Sequence, residues 1–192
     1  MKFKHICVLS LLLALSTFWG SPAQALEKGG VSFPDQAQVA GKTLKLNGLG
    51  VRKATIFKVS VYVAALYLEA KSGKSAEILS SPGVKRLEMH FVRDVKADKI
   101  RGAWSESFAK TCPPSCDTLN PLLSQFNGWM ADMKTGDTMA LTFFNDHVEV
   151  SVKGQTVGVL QHKSISNVLL AIWLGAEPPN ASLKEGLLGQ ES

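Results

Sequence analysis

An arginine just after a pair of glycines is the residue in this chain best suited to act on an anion. It stands in Gly48-Leu49-Gly50-Val51-Arg52, immediately before the most apolar strand-forming stretch of the sequence. A guanidinium in that position has two fates. Its stem can lie along apolar surface while its head reaches water, or its flat fork can project into a pocket and meet a carboxylate or oxyanion with two donors. The motif alone does not choose between them. It is a poor nucleotide loop, because a third glycine is missing and a strand rather than a helix is expected next. Tyr62 falls on the Lys58/Ser60 face of that strand and can aim a hydroxyl into a cavity, whereas Tyr67 falls on the valine face and reads as core. His90, His147 and His162 are scattered without metal-ligand spacing. No serine elbow, zinc-protease helix or Cys/His nucleophile pattern is present, and no cofactor motif is found.

The other reactive pair is Cys112-Pro113-Pro114-Ser115-Cys116. Three intervening residues, two of them proline, favour a compact turn that brings the sulfurs together, so a structural disulfide between Cys112 and Cys116 is expected. The spacing is one residue too long for a thioredoxin-like redox site, and no histidine lies nearby to complete a metal set.

That expectation rests on export. Met1-Lys2-Phe3-Lys4-His5 is a basic start, residues 6–19 are almost wholly apolar, and Gly20-Ser21-Pro22 breaks any helix. Ala23-Gln24-Ala25 then offers the small-x-small pattern of a cleavage site. Residues 1–25 therefore read as a secretory signal cut after Ala25, and residues 26–192 as one domain that is periplasmic or secreted. Cys7, the third cysteine, leaves with the signal.

The whole chain has 192 residues, 21 Lys and Arg against 16 Asp and Glu, and 45% hydrophobic residues. That composition belongs to a globular protein with a single core and excludes bulk disorder. The positive charge is weak and unclustered, so nucleic acid is not an expected partner. No later apolar run reaches membrane length, so no span is expected after the signal is removed.

Periodicity supplies the elements that must position Arg52. Residues 26–38 form an arm with one edge strand, and residues 44–50 run as a strand into a glycine turn. Residues 56–68 give the strongest strand signal in the chain. A short helix over 74–81 ends at Pro82-Gly83, and a strand follows over 85–93. Ile100, Trp104 and Phe108 recur every four residues and mark a helix over 97–110. A second helix, over 119–133, follows the cysteine turn. Strands over 138–144, 147–152 and 155–160 form a meander with short polar turns. A helix over 164–174 has Ser164 as its cap and stops at Gly175, and a last one covers 181–188. Strands joined by hairpins pair antiparallel, and helices grouped between strand blocks cover a face. The fold class is α+β: one large antiparallel sheet with a layer of helices on one face.

Several blocks carry a family likeness. Leu46-Asn47-Gly48-Leu49-Gly50-Val51-Arg52 followed by Phe57-Lys58-Val59-Ser60-Val61-Tyr62-Val63-Ala64-Ala65-Leu66-Tyr67-Leu68 resembles the opening of the exported bacterial chalcone-isomerase-like domains. Further matches are Lys85-Arg86-Leu87-Glu88-Met89-His90-Phe91-Val92-Arg93-Asp94-Val95 and Ile172-Trp173-Leu174-Gly175-Ala176-Glu177-Pro178-Pro179, with Leu183-Lys184-Glu185-Gly186-Leu187-Leu188-Gly189 at the end. The blocks fall in order over nearly all of residues 26–192. The resemblance implies an open-faced β-sandwich. In that superfamily the arginine at the matching position stabilises negative charge in enzymes that close a chalcone ring, and pairs with a carboxylate in fatty-acid binders. It thus implies that Arg52 faces a pocket, with Tyr62 and Ser166 as further ligand contacts.

The departures are specific. The enzymes place a threonine on the following strand, where Tyr62 stands, and a tyrosine and an asparagine on the first long helix, where residues 95–111 contain neither. The expected function is accordingly that of a periplasmic, non-catalytic binder of a small hydrophobic or acidic ligand, with Arg52 as the anion anchor. The alternative is an isomerase that cyclises a chalcone-like enone.

Overall fold

The computed structural model describes residues 25–112 and 114–190. The predicted signal lies outside the described residues except for Ala25. Nine strands and five α-helices follow in chain order: β1 (Ala25–Lys28), β2 (Val31–Pro34), β3 (Gln36–Val39), β4 (Lys42–Ala54), β5 (Val59–Leu68), α1 (Ser75–Ser80), β6 (Lys85–Phe91), α2 (Ala97–Thr111), α3 (Asn120–Gly128), β7 (Thr138–Phe143), β8 (His147–Val152), β9 (Gln155–Gln161), α4 (Ile165–Leu174) and α5 (Ala181–Leu187). A short 3-10 helix, Pro114–Leu119, precedes α3.

Strands β3 to β9 form one sheet in sequence order, every neighbouring pair antiparallel. Helices α2 and α3 interrupt the meander between β6 and β7 without changing strand order. The chain is α+β, a large antiparallel sheet with its helices on one side. Alternation sorts β6 cleanly: Leu87, Met89 and Phe91 join the helix-side core with Trp104, Phe126 and Trp173. The opposite face carries a second, smaller core. Phe33, Leu44, Leu49, Val63, Ala65 and Tyr67 pack together there, covered by the β1–β2 hairpin. The Tyr67 hydroxyl donates to the carbonyl of Pro34 at 3.0 Å, which ties that hairpin to the sheet. The segment predicted as an arm with one strand is therefore three strands, because its few apolar residues have a sheet face of their own to cover.

Other differences have both local and distant causes. No glycine turn ends the first long strand: β4 runs through Gly48 and Gly50 to Ala54. Residues 56–58 do not belong to the next strand. Thr55 and Lys58 have left-handed φ of 62° and 52°, and Lys58 N–H bonds Thr55 C=O at 3.1 Å, so Ile56 and Phe57 form the tip of a turn. Helix α3 ends at Gly128, short of residue 133. The peptide of Met133 instead exchanges two 2.8 Å hydrogen bonds with Val95, which draws the chain back along the sheet. At the start of α4 the Ser164 side chain makes no capping hydrogen bond.

Cys112 and Cys116 are joined by a disulfide, with Cα atoms 5.8 Å apart. The bridge closes the corner where α2 meets the 3-10 helix. So small a loop removes little entropy from the unfolded chain, about 2 kcal/mol, and its main effect is to fix that corner.

Candidate functional site

Two β-bulges aim the site residues. Leu46 pairs with Tyr67 and Gly48 with Leu66, leaving Asn47 as the extra residue of β4. The extra residue reverses the alternation beyond it, so Leu49 faces the smaller core while Gly48, Gly50 and Arg52 face the helices. Asn47 itself spans the gap. Its amide donates to the carbonyls of Leu187 at 2.8 Å and Ser72 at 3.1 Å, and its oxygen accepts from Ser72 N–H. A second bulge leaves Val61 unpaired between Tyr62, which pairs with Arg52, and Ser60, which pairs with Lys53. Val61 and Tyr62 both end up on the helix side.

The glycines now have a reason. Helix α5 lies directly on β4, and a Cβ on Gly48 would stand 2.1 Å from the carbonyl oxygen of Gly186. One on Gly50 would stand 2.4 Å from the carbonyl oxygen of Leu183. Only glycine admits that backbone approach. The contact brings Asn180, at the start of α5, beside the end of β4. Asn180 Oδ1 accepts from Lys53 N–H at 2.8 Å and from Arg52 Nη1 at 3.2 Å. Nη1 also donates to the carbonyl of Lys53. Nε and Nη2, the other edge of the fork, make no hydrogen bond to a described residue. That free edge is the one a carboxylate would meet in bidentate fashion.

Arg52 and Tyr62 line one cavity of about 520 Å³, between the sheet and helices α2 and α4. Its walls are mostly apolar: Val61, Met89 and Phe91 from the sheet, Ile100 and Trp104 from α2, and Trp173 from α4. The two indoles meet edge to face, 5.4 Å between centroids. Trp173 Nε1 donates to the Tyr62 hydroxyl oxygen at 3.1 Å. Burial pushes the Tyr62 pKa up, opposed by the Trp173 hydrogen bond and the Arg52 charge, so the phenol stays protonated and keeps its own O–H to give.

Arg93, Asp94, Lys96 and Lys99 also line this cavity. Asp94 is engaged by Lys134 Nζ at 2.7 Å and by Thr135 N–H, and Lys96 by Asp132 at 2.8 Å. Arg93 and Lys99 form no ion pair with a described residue. The polar part of the wall is thus cationic over an apolar interior. Such a site can hold an amphiphile with an acidic end.

Ser166 lies elsewhere. It does not line the cavity, and its hydroxyl sits against the carbonyls of Phe144 and His147, the latter at 3.0 Å, fastening α4 to the β7–β8 turn. Helix α4 reaches the cavity only through Ile172 and Trp173, nearly two turns further on. The histidines are taken up locally: His90 contacts Glu88 at 2.9 Å, His147 contacts Asp146 at 2.7 Å, and His162 accepts from Ser164 N–H. No group of three or more His, Cys, Asp or Glu able to hold a metal occurs among the described residues. No described helix is long and apolar enough to cross a membrane.

Sequence reasoning missed Asn180 and the Arg93–Lys99 cations. The signal for Asn180 was its place directly after Pro178-Pro179 at the head of a helix, read only as a stop. The cations were legible as Arg93, Lys96 and Lys99, spaced by three across the entry to α2.

Comparison with known proteins places this geometry among relatives. The family model described as chalcone isomerase-like matches residues 25–189. A solved fatty-acid binding protein of Arabidopsis thaliana, AtFAP1, superposes with a TM-score of 0.70 at 18% sequence identity, covering 86% of this chain and 96% of that one. At that identity the likeness establishes the fold. No curated protein matches.

Proposed function

Since this chain belongs to the chalcone isomerase-like family, we propose that it is an exported, non-catalytic carrier of a small hydrophobic acid. The acid end meets the Nε/Nη2 edge of Arg52, with the Tyr62 hydroxyl as a second donor, and the apolar part lies against Trp104, Trp173 and Phe91. The observation that carries this reading is one guanidinium pinned by Asn180 on one edge and left open on the other, in the wall of an apolar cavity. Structural likeness to a fatty-acid binding protein supports the same ligand class. The basic and apolar sequence of residues 1–25 supports export, and the disulfide is compatible with it.

Ring closure of an enone asks for more than charge stabilisation. It needs groups that orient the substrate and move its proton. The residues that the chalcone-cyclising enzymes use for this are not matched on α2, and Tyr62 already accepts from Trp173. Mixing the protein with a chalcone is expected to leave its absorbance unchanged, and Arg52-dependent turnover would overturn the non-catalytic reading. Native mass spectrometry before and after organic extraction tests the carrier directly. A removable small acid, or uptake of an added long-chain acid by extracted protein, is expected. Extracted protein that takes up none across a range of chain lengths contradicts it.

A further inference from the structure

The turn between β4 and β5 carries the two most exposed large apolar side chains among the described residues. Ile56 is 88% exposed and Phe57 80%. The left-handed backbone at Thr55, a β-branched residue that disfavours it, and at Lys58 holds the pair at the very tip of the hairpin. Ala54 and Thr55, at the base of the same turn, line the cavity together with Arg93, Lys96 and Lys99. The tip and the cationic side of the cavity therefore form one continuous surface.

Charge on that surface is one-sided. Over residues 53–58 and 93–99, Asp94 is neutralised by Lys134 and Lys96 by Asp132. Lys53, Lys58, Arg93 and Lys99 form no ion pair with a described residue, and Asp98 is the single carboxylate left unpaired. Two large apolar side chains flanked by Lys53 and Lys58, on a surface that continues to Arg93 and Lys99, are what partitions into the headgroup region of an anionic bilayer. A specific protein partner would need a far broader patch than a four-residue turn.

We propose that the Thr55–Lys58 tip docks the protein on anionic phospholipid bilayers, with Ile56 and Phe57 inserted and the cavity held at headgroup level, where an acidic amphiphile passes between bilayer and cavity. The docking itself does not depend on what the cavity holds, since vesicles without free fatty acid suffice to show it.

The test is co-sedimentation of the purified protein with phosphatidylcholine vesicles and with equimolar phosphatidylcholine–phosphatidylglycerol vesicles. Binding to the mixed vesicles is expected, weakening with salt. Replacing both Ile56 and Phe57 by Ser is expected to weaken it about tenfold or more. Both residues are exposed, so this variant keeps its fold. A Phe57→Trp variant should show a blue-shifted emission on the mixed vesicles alone. Absence of binding to mixed vesicles, or equal binding by the double serine variant, overturns the proposal. Concentration-dependent dimerisation abolished by the serine variant, with no vesicle binding, also overturns it and assigns the tip to a second copy of the chain.

Discussion

Trp173 Nε1 donates to the Tyr62 hydroxyl across 3.1 Å, joining α4 to the strand that pairs with Arg52. The bond lets a fully buried indole satisfy its one donor at the cavity wall and fixes which way the phenol points. Tyr62→Phe removes the acceptor and leaves that N–H buried without a partner. Urea unfolding is expected to show a loss of about 1–3 kcal/mol. An unchanged midpoint would mean that the bond contributes nothing to the fold.

Close approach of α5 to β4 makes a paired prediction about glycine. Gly48→Ala forces a Cβ against the Gly186 carbonyl and is expected to cost about 2–3 kcal/mol. Gly102→Ala, on an open face of α2 with nothing within 4 Å, is expected to stabilise by about 0.8–1 kcal/mol through helix propensity. Thermal unfolding of the two variants should move in opposite directions.

This contact also shows where the sequence was silent. Alternation along β5 to β9 reveals those strands because each buries a face against near neighbours, and the helices show by their four-residue repeats. The pair Gly48/Gly50 read as a turn because glycine ends strands by default. The reason it lies inside one is a helix near the far end of the chain. Ile56 and Phe57 read as strand by propensity alone, and the left-handed residues on either side leave no sequence mark. Arg52 could be located from its own residues, but its inward orientation came only from the family likeness, since it depends on the Asn47 bulge and on Asn180. Trp104 and Trp173 were legible as core and are also cavity wall.

Glu88 makes part of the fold's stability depend on acid. The His90 hydrogen bond, with help from Arg86, holds its carboxyl below the ordinary 4.5 despite partial burial. A carboxyl with a depressed folded pKa contributes stability that is fully present above the unfolded value and is lost as pH falls through the folded one. Stability is therefore expected to drop as pH falls below about 4.5. Glu88→Gln should flatten that limb of a stability–pH profile, and an equally steep limb in the variant would assign the acid sensitivity to other groups.

Removal of the disulfide, by replacing Cys112 and Cys116 with Ser, is expected to cost no more than about 2 kcal/mol. Since neither cysteine lines the cavity, uptake of a long-chain acid should be unchanged. A large loss of uptake would show that the corner between α2 and the 3-10 helix sets the cavity's shape.

Calorimetric titration with a long-chain fatty acid and with the alcohol of the same chain length, on wild type and Arg52→Ala, bears most directly on the anchor. One charge-assisted contact is worth about 1.5–3 kcal/mol, so the variant should bind the acid about ten- to a hundredfold more weakly and the alcohol almost as before. Equal losses for acid and alcohol, or no loss for either, would contradict the assignment of Arg52 as the group that holds the ligand's charge.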